Sequence, residues 1–108
     1  MAIINLTPHA VTVFVPGVRD EVFSFPPDGR VARVSSVDTD AGAHDDIPLV
    51  RTAFGEVVDL PEPQDGVVFI VSALVRSAVP DRKDVASPGT LIRDDKGAVI
   101  GCTKLIVN

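Results

Sequence analysis

The chain has 108 residues, the length of one domain, and its 45% hydrophobic and 23% charged residues exclude a wholly disordered protein. Its net charge of −5 argues against a nucleic-acid partner, because affinity for a phosphate backbone depends on a basic surface. The single cysteine, Cys102, excludes an internal disulfide and a thiolate zinc site. From its length we expect one domain over residues 1–108. Because the sequence has no apolar run of about 18 residues and no signal-peptide pattern, we expect the protein in the cytoplasm, without a membrane contact.

The first third of the chain predicts short strands. Valine is frequent, and prolines and glycines recur about every ten residues, a combination that favours strands joined by turns. In the strand 11–15, Val11, Val13 and Val15 share one face, and Pro16-Gly17 marks the turn after it. We predict strands over 3–6, 11–15, 21–25 and 31–37, with a chain reversal at 26–29.

The middle of the chain contains its most polar and its most apolar stretches. Residues 38–46 are rich in aspartate, and we predict a mobile loop tip there. Strands follow over 47–53 and 56–60, separated by a turn at Gly55. The five consecutive apolar residues 67–71 predict a strand that is buried on both faces.

The one predicted helix covers residues 72–79. Ser72 is a suitable N-cap, Leu74, Val75 and Ala78 share a face, and Pro80 ends the helix. A charged loop over 81–88 and a hairpin of 91–93 with 98–105 follow. The sequence therefore predicts a mainly β, small single-domain barrel or sandwich of about seven to nine short strands, with one short helix near residues 72–79.

A first group of polar residues lies in the segment Asn5-Leu6-Thr7-Pro8-His9. The bond to Pro8 holds Thr7 extended, and the His9 imidazole is free to act as a base, a donor or a ligand. In a purely structural alternative, Asn5 and Thr7 satisfy backbone groups at a strand end and His9 covers an exposed edge. The sequence leaves both interpretations open.

A second group follows the most buried strand. Ser72 begins the helix, where free N–H groups favour an anion, and no glycine-rich phosphate loop is present. Arginines at 76 and 82 suit a phosphate, and Asp84 suits a ribose hydroxyl. The structural alternative is a capped helix with surface ion pairs worth at most about 1 kcal/mol. The candidate ligand-binding residues are Thr7, His9, Ser72, Arg76, Arg82 and Asp84.

Metal and catalytic chemistry have weaker signals. The acidic stretch 38–46 lacks the spacing of an EF-hand loop, so we expect a solvated loop, no metal and no cofactor. Cys102 lies in an alternating strand, where a free cysteine usually behaves as a small buried hydrophobe. Nucleophilic catalysis requires a base next to a nucleophile, which leaves His9 with Ser72 or Asp84 as the arrangement for a hydrolase.

Several motifs together carry a resemblance to known proteins. They are INLTPH at 4–9, IVSALV at 70–75, and the spaced RKDV, PG and IRD between 82 and 94, with GEV at 55–57 and LP at 60–61. The chain resembles a group of short proteins of phages, prophages and bacterial, often actinobacterial, genomes that begin with the NLTPH string. The resemblance covers nearly the whole chain and implies a genomic setting, the host cytoplasm for a phage gene, but no activity.

We expect a non-enzymatic protein of phage or prophage type that binds a nucleotide-like anionic molecule and could sequester a host signal as an anti-defence device. We also expect a homo-oligomer or a host protein partner. The alternative is a protein-interaction module, either an inhibitor of a host protein or a virion accessory, that offers a valine-rich strand edge such as 11–15. The third hypothesis is a small hydrolase that uses His9.

Overall fold

The protein is mainly β, as the sequence predicts. A computed structural model describes residues 2–15 and 21–108, and the turn predicted at Pro16-Gly17 lies outside these residues. The elements are β1 (Ala2–Asn5), β2 (Val11–Val15), β3 (Glu21–Phe25), β4 (Arg33–His44), β5 (Ile47–Val58), β6 (Val67–Ile70), α1 (Ala73–Ala78), β7 (Val85–Arg93) and β8 (Val99–Val107).

Six strands form one sheet in the order β1-β6-β7-β8-β2-β3, while β4 and β5 form a separate two-stranded sheet. The two outer strands of the large sheet, β1 and β3, approach each other. Asn5 at the end of β1 forms a parallel bridge with Pro27, two residues after the end of β3. The Asp28 N–H donates to the Asn5 carbonyl at 2.9 Å, and the Ala32 N–H donates to the Leu6 carbonyl at 3.0 Å. The sheet is therefore a nearly closed barrel, the first of the two predicted architectures.

The buried strand β6 separates two apolar clusters. Ile70 packs with Val11, Val13 and Cys102, which come from strands that are not its neighbours in the sheet, so these side chains meet across the barrel interior. Phe69 belongs to a second cluster, outside the barrel; its other buried members are Leu6, Ala32, Val71, Val75 and Val85. Successive residues of a strand point to opposite faces, and both Phe69 and Ile70 are 0% exposed. The predicted burial of β6 on both faces is therefore confirmed.

The helix α1 covers the outer cluster. The Ser72 hydroxyl accepts a hydrogen bond from the Val75 N–H, which satisfies one of the unpaired donors of the first turn. Val75 is 2% exposed and packs on the cluster, and the helix ends before Pro80, which lacks the N–H to continue it. The predicted helix and its cap are confirmed.

The strands β4 and β5 form a long hairpin, residues 33–58, which we call the arm. The predicted loop at 38–46 is wrong for residues 38–44, which belong to the paired strand β4. The predicted turn at Gly55 is also wrong, because Gly55 lies within β5. The tip is the two-residue turn Asp45-Asp46, in which both residues have positive φ, as the tightest hairpin turns require. Polar residues are compatible with strands here because almost the whole arm is exposed, so their side chains stay hydrated.

Two further expectations are corrected. The strand 11–15 is not an edge, because β2 pairs with β3 on one side and with β8 on the other. The predicted charged loop 81–88 ends at Asp84, since Val85 and Ala86 pair with Phe69 and Ile70 of β6. Pairing with the buried strand β6 makes the strand β7 begin at Val85, earlier than the sequence predicts. The local sequence pattern does not encode this pairing, because β6 and β7 are separated by the helix α1.

Candidate functional site

A cavity of about 280 Å³ opens between α1, the β1–β2 connection and the start of the arm. The floor of the cavity is formed by three apolar side chains that are almost fully buried, Leu6, Ala32 and Val75. Small-molecule sites in proteins are typically apolar clefts of about 300 Å³ or more with a few well-placed polar groups. The lining residues are Leu6, Thr7, Pro8, Val31, Ala32, Arg33, Val34, Ser72, Leu74 and Val75.

Three polar side chains stand at this cavity, from segments far apart in the sequence. The Ser72 oxygen accepts from the Val75 N–H at 3.2 Å, which leaves the hydroxyl proton available to a ligand. The exposed Arg33 guanidinium has no hydrogen-bond or ion-pair partner within residues 2–15 and 21–108. Thr7, which is partly buried, supplies the third group.

The buried side chain of Asn5 organises the loop that carries Thr7. Its Nδ2 donates to the carbonyls of His9 and Phe25, both at 2.8 Å, and its Oδ1 accepts from the Thr7 N–H at 2.9 Å. The Thr7 hydroxyl lies 2.6 Å from the Asn5 Oδ1 and 2.9 Å from the His9 carbonyl, so its proton is engaged and its oxygen can accept. The exposed His9 does not line the cavity. Its carbonyl accepts the hydrogen bonds from Asn5 and Thr7 that hold the loop.

Arg76 makes contacts within the protein. Its Nε donates to the Ser87 hydroxyl at 2.8 Å, and its Nη1 lies 3.4 Å from the Asn108 Oδ1. The Asn108 amide in turn donates to the carbonyls of Arg76, Val79 and Arg82 at 3.0, 2.8 and 3.3 Å. These bonds tie the end of α1 to β7 and to Asn108, and Arg76 is outside the cavity lining.

Arg82 and Asp84 form a bidentate ion pair, with both N–O distances at 2.8 Å, and Arg82 also donates to the Pro61 carbonyl at 2.9 Å. The hydrogen bond from Arg82 is the main reason that the pKa of Asp84 lies below its ordinary value, and the same bond raises the pKa of Arg82. Burial opposes both shifts. With its donors directed to Asp84 and Pro61, Arg82 links the connection before β6 to the loop before β7.

The structure therefore brings together two of the six candidate residues, Thr7 and Ser72, and adds Arg33, which the sequence analysis did not select. Arg33 had no signal in the sequence, since a single charged residue in the predicted strand 31–37 is typical of a solvent-exposed strand position. It reaches the cavity because the outer cluster draws the start of β4 against α1.

Other kinds of site have little support in the described residues. No group of three histidine, cysteine or acidic side chains within residues 2–15 and 21–108 could hold a metal ion. Every buried side-chain nitrogen and oxygen in the same part of the chain has a hydrogen-bond partner. The helix that the structure describes is too short to cross a membrane.

Comparisons of the chain with protein-family models, with curated proteins and with solved structures give no match.

Proposed function

We propose that this protein binds a small anionic molecule, of the nucleotide class, in the cavity between α1 and the start of the arm, without catalysing a reaction. The observation that carries the proposal is the convergence of Thr7, Arg33 and Ser72 on one apolar cavity of about 280 Å³. A planar or apolar part of the ligand would lie on the floor formed by Leu6 and Val75, and its anionic group would face the guanidinium.

Each of the three polar side chains would make a different kind of contact with the ligand. Arg33 supplies a charge and a fork of donors that matches phosphate or carboxylate oxygens. Ser72 supplies one further donor, and the Thr7 oxygen supplies an acceptor. In a phage or prophage setting, such a protein would act by sequestering its ligand, which requires affinity and no chemistry.

The first test is native mass spectrometry of the protein as purified, followed by calorimetry with a panel of mononucleotides and cyclic dinucleotides. We expect an additional mass of a few hundred daltons, or binding of one panel member. We expect Arg33→Ala to weaken binding about ten-fold or more, because a charge-assisted hydrogen bond is lost.

The matched control is Arg30→Ala, which removes an arginine three residues away. Its guanidinium is paired with Asp28 at 2.8 Å and does not line the cavity. Equal affinities for the wild type and Arg33→Ala would remove the cavity from the proposal. A bare mass together with no binding to the panel would refute nucleotide binding altogether.

The second candidate function, a protein-interaction module, is supported by the arm rather than by β2. Apolar side chains along it are exposed, Val37 at 63% and Ile47 at 62%, and large exposed apolar surface is typical of interaction sites. A hydrolase that uses His9 is less well supported, since His9 does not line the cavity and Asp84 is bound to Arg82.

A further inference from the structure

The cavity between α1 and the start of the arm contains very little charge. Among the described residues that line it, Arg33 is the only one with a charged side chain, and seven of the ten are apolar. A guanidinium presents a fork of donors that pairs with one phosphate or carboxylate group through two parallel hydrogen bonds. The cavity therefore provides one cation, which matches one phosphate group.

The two arginines next to the lining segments are engaged elsewhere. The Arg30 Nε lies 2.8 Å from the Asp28 Oδ2, in an ion pair outside the cavity. The Arg76 Nε donates to the Ser87 hydroxyl at 2.8 Å, and its Nη1 lies 3.4 Å from the Asn108 Oδ1. Neither arginine is positioned as a second cation for a longer chain of phosphates.

The other charges near the start of the arm are negative. Glu56 and Asp59, both exposed, flank the two residues of β5 that pair with Arg33 and Val34. The whole chain carries a net charge of −5. Because like charges repel, each phosphate beyond the first would add negative charge to a region that does not compensate it.

The size of the cavity favours a single nucleoside unit. Its volume of about 280 Å³ lies at the lower end of the range of about 300–1,000 Å³ that is typical of small-molecule sites. Leu6 and Val75 on the floor are buried, and Leu74, which also lines the cavity, is 45% exposed. One base and its sugar match this apolar space, whereas a second base would have to lie outside it.

The hydroxyl of Thr7 sets a further condition on the ligand. The Asn5 Nδ2 donates to two carbonyls, so the Asn5 Oδ1 is directed at Thr7 and can only accept. The Thr7 hydroxyl has two acceptors within reach, the Asn5 Oδ1 at 2.6 Å and the His9 carbonyl at 2.9 Å, and no donor among its hydrogen bonds. Its proton is therefore used within the protein, and a ligand that binds Thr7 has to donate.

We propose that the ligand of this cavity is a nucleoside monophosphate. Its single phosphate contacts Arg33, its base lies over Leu6 and Val75, and a ribose hydroxyl or an N–H group of the base donates to Thr7. This inference rests on the proposed function and narrows it, because nucleoside triphosphates and cyclic dinucleotides are excluded as the preferred ligands.

The first test is calorimetry, without divalent cations, of each of the four ribonucleosides and its 5′-mono-, di- and triphosphates, together with cyclic dinucleotides. We expect one monophosphate to bind at least about ten-fold more tightly than its nucleoside, because a charge-assisted hydrogen bond is added. The corresponding di- and triphosphates should bind no more tightly than this monophosphate. In Arg33→Ala the ratio between the two affinities should fall to about one, whereas the matched control Arg30→Ala should keep it.

The second test uses Thr7→Val and the monophosphate that binds best. We expect Thr7→Val to weaken binding about ten-fold, because the N–H or O–H group of the ligand loses its acceptor, and Thr7→Ser to retain the affinity. The 2′,3′-dideoxy monophosphate identifies the donor. Equal binding of this analogue to the wild type and to Thr7→Val assigns the contact to the ribose, whereas an unchanged ten-fold difference assigns it to the base.

The outcomes distinguish this inference from the proposed function. A triphosphate or a cyclic dinucleotide that binds more tightly than every monophosphate would overturn the inference and leave the proposed function in place. Equal affinities for a nucleoside and its monophosphate would overturn the phosphate contact at Arg33, and equal affinities of the wild type and Thr7→Val would overturn the contact at Thr7. No binding by any of these compounds would overturn both the inference and the proposed function.

Discussion

At the scale of single residues, the Asn5 amide holds the loop between β1 and β2. It is 2% exposed and satisfies the carbonyls of His9 and Phe25 as well as two donors of Thr7. Removing it leaves several partly buried groups without partners, and each such loss costs more than a hydrogen bond exchanged with water.

We expect Asn5→Ala to lower the free energy of unfolding by about 2–3 kcal/mol, measured by urea denaturation. Thr7→Val, which removes one hydroxyl and leaves Asn5 in place, should cost less. Equal costs would mean that the hydroxyl, and not the amide, determines the stability of this loop.

The Arg82–Asp84 pair predicts a dependence of stability on pH. Its arginine donates two hydrogen bonds that hold the pKa of Asp84 below the unfolded value of about 3.9. A depressed folded-state pKa contributes stability that is complete above the unfolded value and is lost as the pH falls through the folded value. The pair should therefore stabilise the protein at neutral pH and fail in acid.

We expect Asp84→Asn to be less stable than the wild type at pH 7 and to lose less stability than the wild type between pH 5 and pH 2. Urea denaturation across that range measures both quantities. Asp28→Asn is the control, because its ion pair with Arg30 is more exposed and pairs in water contribute little. Parallel pH curves for the wild type and Asp84→Asn would contradict the assignment.

At the scale of elements, the arm and the barrel are energetically separable. The outer cluster includes Val34 and Val57, but no residue between 35 and 56 belongs to either apolar cluster. Four strands of the large sheet, β6, β7, β8 and β2, each pair with two neighbours, whereas β4 and β5 pair with each other.

We expect a variant in which an Asn-Gly turn replaces residues 36–55 to fold, because Val34 and Val57 remain paired at the base and the turn suits a two-residue hairpin. Circular dichroism should show a retained cooperative thermal transition. An unfolded variant would mean that the arm contributes to the barrel core, contrary to its exposure.

At the scale of the whole molecule, the arm accounts for an elongated shape. The radius of gyration is 16.4 Å, compared with about 13 Å for a compact domain of this length, and the longest dimension is 52 Å. Small-angle scattering at a concentration where the chain is monomeric should therefore distinguish the wild type from the variant without residues 36–55.

For that variant we expect a radius of gyration near about 12 Å, the value for a compact domain of its reduced length. A radius close to that of the wild type would show that the elongation comes from the barrel.

The local elements of this protein could be predicted from its sequence, for a physical reason. The bounds of β2 and β3, the Ser72 cap and the burial of 67–71 depend on side-chain period and turn chemistry within a few residues. The strands of the arm were predicted only in part, over 31–37, 47–53 and 56–60. The continuation of β4 through 38–44 and of β5 through Gly55 was missed, because an exposed hairpin tolerates polar residues and its register comes from pairing with the opposite strand.

The candidate site could be predicted only in part. Thr7 and Ser72 stand out because each is next to a strand end, but which arginine faces the cavity depends on contacts between segments distant in the chain. The tertiary structure decides that Arg33 is available there, that Arg82 is bound to Asp84, and that Arg76 contacts Ser87. The sequence alone determined the class of fold and most of its elements, since these follow from local interactions, whereas closure of the barrel, projection of the arm and assembly of the cavity follow from long-range packing.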